Sequence, residues 1–277
     1  MSARLTVLIP CKDERLHIRA CVDSARAVAD EIVVADSGSK DGTLDIVRDL
    51  PGCRVIEREY VNSADFKNWA IPQSRHEWVL VLDADERVTP ELAREIRDLL
   101  AADPPCDGYA LSRDNFFLGH PIRHCGWNTQ RPIRLFRRDL CRYQTRRVHA
   151  DIHVATGKVG QLSESLLHYT ALDLDRFIAK QQRYATWSAL DAYDAGKRAT
   201  WLKMFSHAPL RFLQLYLLRG GFLDGRAGLV VCGLMAYYTF LKDARLWAIR
   251  CCRRELELSP RPVATLASLS APQQEAA

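Results

Sequence analysis

An α/β fold built on a mainly parallel sheet, followed by a helical extension, is what this sequence predicts, and three observations predict it. Short apolar runs recur at 5–9, 31–35, 53–56 and 78–82, with the length and pattern of strands buried on both faces. Segments with helical spacing of apolar residues separate them, so strand alternates with helix as in βαβ units with right-handed crossovers. Polar clusters at 11–14, 36–41 and 83–85 follow three of these runs. In such a sheet, ligands collect at the carboxyl ends of the strands.

Taken in order, residues 5–9 form the first strand run, and Pro10 ends it. Leu16, Ile18, Cys21, Val22, Ala25 and Val28 then mark a helix over 14–29. The run 31–35 stops at Asp36-Ser37-Gly38-Ser39, a turn-forming cluster. Asp41-Gly42-Thr43 opens a second helix, which Pro51-Gly52 closes. The strand at 53–56 and a helix at 63–73 precede the Trp78 strand, and Thr89-Pro90-Glu91 supplies an N-cap followed by proline at the first helical position.

The 277 residues suffice for one large α/β domain with a helical appendage. Net charge is +5, unevenly spread: residues 197–254 hold eleven Lys/Arg against two acids, which is +9 and leaves −4 for the remainder. A cationic region so rich in apolar residues points to an anionic membrane surface or a lipid-linked substrate, and away from nucleic acid. Nine cysteines without a CxxC pair read as reduced thiols in a cytosolic protein. The longest uncharged, mostly apolar stretch, 227–241, has fifteen residues, short of the ~20 that span a bilayer. Met1-Ser2-Ala3-Arg4 leads straight into a strand with no secretory signal. The expectation is a cytoplasmic protein, peripheral at the inner face of the plasma membrane.

The chemistry centres on WVLVLDADER, 78–87. Two acids at the end of a buried strand are costly without a cation beside them. A divalent ion carrying a sugar nucleotide's diphosphate meets that need, because hard oxygen ligands suit Mg²⁺ or Mn²⁺; the plainer alternative is a solvated acidic loop. No GxGxxG follows the first strand and no GxxxxGK[ST] occurs, so dinucleotide and P-loop readings lose their support. Without a glycine-rich cradle, a metal at Asp83 and Asp85, or basic groups such as Lys67 and the arginines near 134, must meet the diphosphate charge.

The pieces LTVLIPCKDE, EIVVADSGSKDGT, ADFKNWA and VLVLDADERVTPEL resemble family 2 glycosyltransferases, the inverting GT-A enzymes. GYALSRDNFFLG, RPIRLFRRD, RRVHADI, LLHYTALDLDRFIAKQQRYA and FLDGRAGLVVCGLMAYYTFLK are similar to the bacterial branch that includes the lipopolysaccharide-core β-1,4-glucosyltransferases. The resemblance implies a GT-A domain over 1–170; the residue pattern adds a basic helical region over 171–257 that binds membrane or a second subunit, and a tail over 258–277, rich in Pro, Ala, Ser and Gln, that is expected to be disordered. The resemblance also implies that Pro10, Cys11 and Glu14 line the nucleotide pocket and that Asp36 accepts from the uracil imide. Lys67 faces base or phosphate, Asp83 touches ribose and metal, Asp85 ligates the metal, and His168 supplies a third ligand.

The implied activity moves a hexose, glucose by resemblance, from UDP-glucose to a lipid-linked glycan with Mn²⁺ or Mg²⁺ bound. A polyprenyl-phosphate acceptor and a non-catalytic sugar-nucleotide-binding protein are the rival readings, and a homodimer is a further expectation. Inverting transfer needs one carboxylate as base, which the family often places in a His-Glu pair. Here the segment reads Val148-His149-Ala150-Asp151, so Asp151 is the first candidate base, Asp114 the second and Glu164 the third. His149 and His153 read more simply as packed or hydrogen-bonded residues. Among Arg131, Arg134, Arg137 and Arg138, phosphate binding competes with a solvated edge strand. Trp127 and Asn128 suit either a sugar platform or, for the tryptophan, the core.

In the extension, a helix is expected over 173–193, then an apolar segment over 201–218 that Pro209 breaks, then a helix over 227–241. Arg245, Arg250, Arg253 and Arg254 follow it, with long stems suited to an interface.

Overall fold

The computed structural model describes residues 3–127, 131–144 and 151–258, with side chains as far as Cys252. The first half alternates β1 (Leu5–Cys11), α1 (Ile18–Ala25), β2 (Glu31–Asp36), α2 (Thr43–Arg48), β3 (Cys53–Glu57), α3 (Ser63–Ala70) and β4 (Trp78–Val81). Then follow β5 (Glu86–Arg87), α4 (Pro90–Ala101), β6 (Gly108–Phe117), β7 (His120–Ile122), β8 (Ile133–Arg137), β9 (Cys141–Tyr143), β10 (Ile152–Val154) and β11 (Val159–Ala171). The extension holds α5 (Leu174–Asp194), α6 (Trp201–Leu213) and α7 (Gly225–Leu258).

The main sheet runs β3-β2-β1-β4-β8-β6-β11-β5, with β7 paired to β6. β3, β2, β1 and β4 are mutually parallel, β8 lies antiparallel between β4 and β6, and β6 is parallel to β11. Six strands therefore point one way (β3, β2, β1, β4, β6 and β11), while β8, β7 and β5 oppose them. The register sets Cys11 beside Asp36 and Leu8 beside Val81, so the polar segments that follow β1, β2 and β4 emerge on one edge.

Alternating side chains divide the core by face. Leu5, Val7, Ile9, Trp78, Leu80 and Leu82 pack with the buried sides of α1 and α4, and Leu8, Val33, Val79, Val81 and Phe136 pack with α3 and β9. At roughly 1.5–3 kcal/mol for each large apolar side chain removed from water, this double-sided burial fixes the strands that carry the acidic edge. Thr89 caps α4 by accepting from the Leu92 amide at 3.1 Å, as its sequence context predicts.

Several boundaries differ from expectation. α1 starts at Ile18 because Asp13 adopts φ 55° and residues 14–17 form turns, with the Glu14 amide donating to Thr43 Oγ1 at 2.9 Å. Pro209 does not break its helix: α6 continues past it into a π-helical turn, Gln214–Leu218. The strand carrying the arginines is central, with β4 on one side and β6 on the other, which overturns the edge-strand alternative.

α7 extends over 34 residues, far past 241. It starts in backbone contact with a 3-10 turn, Gly221–Asp224: a Cβ on Gly228 would fall 2.0 Å from the Gly221 carbonyl oxygen. The extension joins the sheet domain through Phe117, Ile122, Phe177, Leu215, Val231 and Cys232. Among the described residues, no helix is long and apolar enough to cross a membrane.

Candidate active site

Asp83 and Asp85 leave β4 at the carboxyl edge, and an ion-pair network holds the turn between them. Arg134, 5% exposed on β8, places NH2 2.5 Å from Asp83 Oδ2 and 2.7 Å from Glu86 Oε1. Lys67 on α3 donates to Asp83 Oδ1 at 2.8 Å and sits over the Tyr143 ring. Glu86 is fully buried and accepts the Asp83 amide at 3.0 Å, with Arg113 a further 3.7 Å away. Burial alone would raise the Asp83 carboxyl, but Arg134 and then Lys67 hold it well below the usual carboxylate range. Arg87 ties the turn to the sheet domain by donating to the Ala84 and His17 carbonyl oxygens at 2.8 and 3.0 Å.

Asp85 is less constrained. Its Oδ2 lies 3.5 Å from His168 Nε2 and 3.7 Å from Lys180 Nζ. Burial would raise this carboxyl too, and Lys180 with His168 holds it far down. The Asn115 side-chain nitrogen donates to the Arg113 carbonyl at 3.2 Å, so its Oδ1 faces His168 Nδ1 at 2.8 Å and accepts from it. That bond fixes the orientation of the imidazole, with Nε2 turned toward Asp85.

A carboxylate oxygen and an imidazole nitrogen 3.5 Å apart are groups that can ligate a divalent ion, so these residues fit the one that the family implies. Among the described residues no three His, Cys, Asp or Glu form a metal cage. Asp83, with each oxygen already on a cation, keeps 33% exposure for a ribose or ion contact, whereas Asp85 and His168 supply the less committed donors.

Other expected residues divide. Glu14 joins the cleft: burial, then the Asp85 charge, pushes its carboxyl up to about 7. Pro10 is half-buried at the end of β1, and the Cys11 thiol donates to Asp36 at 3.4 Å. Asp36, expected to meet uracil, has its carboxylate engaged within the protein. It is fully buried, and its oxygens accept the Gly38 and Ser39 amides at 2.8 Å, the Ser39 hydroxyl at 2.5 Å and the Cys11 thiol. Four donors fill the carboxylate's lone-pair sites, so Asp36 braces the turn after β2.

Asp114, the second candidate base, is exposed on β6. Its neighbours Arg113 and Asn115 turn into the site, and strand alternation sends Asp114 to the opposite, exposed side. Glu164 is exposed beside α4, its amide bonded to Glu95. Asp151 is exposed just before β10, its carbonyl accepting from Gln144, the residue after Tyr143. His153 is exposed on β10. Trp127 packs against Phe117 and Phe177, each centroid 6.4 Å away, as a core residue. Asn128, His149 and Ala150 lie outside the described residues, as does the tail from 259.

Glu86, Asn115 and Lys180 are site residues that sequence reasoning missed. Glu86 stands three positions after Asp83, close enough to have been seen as a third acid. Arg176 and Lys180, four apart on α5, form a basic helix face that offered a weaker signal.

A sheet of this order, with an aspartate pair at its carboxyl edge faced by cations, is the arrangement of a GT-A glycosyltransferase. The chain belongs to glycosyltransferase family 2, whose model, Glycosyl transferase family 2, matches residues 6–160. It is 32% identical over 249 residues to the lipopolysaccharide core biosynthesis glycosyltransferase LpsC of Rhizobium meliloti (strain 1021), covering 88% of this chain and 92% of that protein. An uncharacterized glycosyltransferase of Rickettsia bellii is 24% identical over 274 residues, covering 95% of this chain and 90% of that protein.

Similar solved structures include S. aureus TarS 1-349 in complex with UDP-GlcNAc, with TM-score 0.49, 15% identity and coverage of 91% of this chain and 92% of that one. The mannosyltransferase PcManGT from Pyrobaculum calidifontis, in complex with GDP-Man and Mn²⁺, gives TM-score 0.48 and 18% identity, covering 98% of this chain and 79% of that one.

Proposed function

We propose that this glycosyltransferase moves a hexose from a UDP-sugar, UDP-glucose in the first instance, to a lipid-linked saccharide of the lipopolysaccharide core type. The observation that carries this reading is the likeness to LpsC along nearly the whole of both chains. The donor site is the Asp83–Asp85 rim. Asp85 and His168 would hold Mn²⁺ or Mg²⁺, with Asp83 nearby for the ribose. When bound, such an ion supplies neutralisation of the departing diphosphate.

The remaining work falls to side chains of the chain itself. Lys67 and Arg134 fix Asp83 and keep it ionised. Glu86 orients the turn through the Asp83 amide. Asp151 stands as the base that removes the acceptor hydroxyl's proton while the opposite face of the sugar loses UDP, which inverts the anomeric carbon.

A lipid-linked acceptor suits the extension. Trp201, Phe205, Leu210, Leu218 and Leu223 are exposed there, with Lys203, Arg219 and Arg226 also exposed among them. Apolar side chains interleaved with cations fit an anionic bilayer surface, which supports the reading of an enzyme that works at the inner face of the plasma membrane. A second copy of the chain is the other partner that this face would suit.

Labelled UDP-glucose incubated with the protein, Mn²⁺ and either core-truncated lipopolysaccharide or polyprenyl phosphate tests the proposal. Label in the lipopolysaccharide, lost in Asp151→Asn, is expected. Label in polyprenyl phosphate alone would replace the acceptor assignment, and failure of both acceptors and of UDP-sugar hydrolysis would leave a binding protein.

A further inference from the structure

The two rim aspartates are neutralised in different ways. Asp83 is held by Lys67 and Arg134, whose side chains are 12% and 5% exposed and packed into the sheet domain. Asp85 meets Lys180, which is 37% exposed, 3.7 Å away and delivered by a helix of the extension. α5 is fixed at its start by the Asp173 cap, whose carboxylate accepts the Asp175 amide at 2.7 Å. Phe177 anchors it further, with its ring centroid 5.3 Å from that of Phe117. Lys180 lies less than one turn beyond that anchor, and Arg176 acts electrostatically on Glu14 and His17 from the same helix. A positive face of α5 thus borders the acidic rim.

We propose that Lys180 is an intramolecular cation that competes with the divalent ion for Asp85 and, once displaced, pairs with the donor's diphosphate. The proposal rests on the reading of the Asp83–Asp85 rim as the donor site. Lys180 Nζ lies 3.7 Å from Asp85 Oδ2, the same carboxylate oxygen that His168 Nε2 approaches to 3.5 Å, so the ammonium already neutralises the oxygen that an ion would take. An arriving divalent ion must take the carboxylate from Lys180 and then tolerate a like charge beside it. Nucleotide removes both costs, because its phosphate oxygens accept from the ammonium, a mobile point charge on a flexible stem. Ion and nucleotide then favour each other's binding reciprocally. The cationic face of α5 thereby discourages the bare ion and rewards the ion–nucleotide pair.

Mn²⁺ binding to the full chain, followed by the electron paramagnetic resonance signal of free Mn²⁺, tests this with and without UDP. Lys180→Met should bind Mn²⁺ about fivefold more tightly in the absence of nucleotide, the scale of one partly exposed ion pair. It should bind UDP at saturating Mn²⁺ about fivefold more weakly. Lys180→Arg, which keeps the charge, should restore both values toward wild type. A purely structural role would move both affinities the same way, so equal or weaker Mn²⁺ binding by Lys180→Met overturns the proposal. If Asp85→Asn binds Mn²⁺ like wild type, the underlying site assignment fails instead, and the proposal with it.

Amine reactivity of Lys180 in the wild-type chain, read by acetylation and mass spectrometry, gives a second measurement independent of any variant's folding. It should rise when Mn²⁺ is added alone and fall again when UDP follows. Reactivity unchanged by either addition overturns the exchange.

Discussion

Replacing Arg134 with methionine removes the cation shared by Asp83 and Glu86. Glu86 has no exposure, and Arg134 lies 2.7 Å from one of its oxygens and 2.5 Å from one of Asp83. Losing one partner of a buried pair costs about 3–5 kcal/mol, chiefly because the other charge is left uncompensated. Arg113 at 3.7 Å from Glu86 and Lys67 at 2.8 Å from Asp83 retain part of the compensation, which sets the expectation near the lower end, about 3 kcal/mol. In a chain of this size that corresponds to roughly 5 °C in Tm.

The loss should also depend on pH. The Asp83 carboxyl is held well below its ordinary range. A depressed folded-state pKa contributes stability that is present above the unfolded value, about 3.9, and is lost as pH falls through the folded one. The gap between wild type and Arg134→Met should therefore narrow on acidification below about pH 4. Urea unfolding at pH 7 and in a descending pH series measures both. Arg94→Ala, at an exposed pair with Glu91, is the control and should change stability by less than about 0.5 kcal/mol. A change of that size for Arg134→Met would refute the claim that the network holds the turn.

Glu14 carries the opposite sign. Its carboxyl is pushed up to about 7 by burial and by Asp85, so the folded state binds its proton more tightly than the unfolded chain does. Stability from this group should fall as pH rises from about 4.5 to 7. Glu14→Gln should flatten that limb and melt higher than wild type at pH 8; an unchanged profile would remove Glu14 from the cleft. Gly228→Ala should destabilise the chain by at least about 2 kcal/mol, because its methyl would meet the Gly221 carbonyl; a neutral result in a melting experiment contradicts that packing. The pair Trp201→Ser with Phe205→Ser should weaken sedimentation with phosphatidylglycerol vesicles at least about tenfold. Unchanged co-sedimentation would redirect the apolar face to a second copy of the chain.

The parallel half of the sheet could be read from the chain because its strands are local apolar runs with little ambiguity. Trp78 through Leu82 have no solvent exposure, and a run of that kind has few places to go except the middle of a sheet. Thr89 announced its helix because capping is settled within three residues. Direction was harder. Asp36 and Asp85 each end a strand run or follow one, yet Asp36 turns inward to brace its own loop while Asp85 faces His168 and Lys180. Composition does not distinguish those outcomes.

The central position of β8 was hidden for a related reason. Arg134 and Arg137 flank Leu135-Phe136 like the charges of a solvated strand, and only the carboxylates of Asp83 and Glu86, some fifty residues earlier, allow Arg134 to be buried. Lys180 depends on how α5 docks, which is settled by non-local packing of Phe177. Pro209 failed as a breaker: α6 runs through it from Trp201 to Leu213, and a π-helical turn follows.

Binding of UDP to wild type and to Asp85→Asn, each with and without Mn²⁺, tests the site most directly. The wild type at about a hundred times its dissociation constant should gain about 2.7 kcal/mol of stability from UDP, only when Mn²⁺ is present, and Asp85→Asn should lose that gain. Equal stabilisation of both proteins, or of the wild type without any divalent ion, would contradict the placement of the donor at this acidic rim.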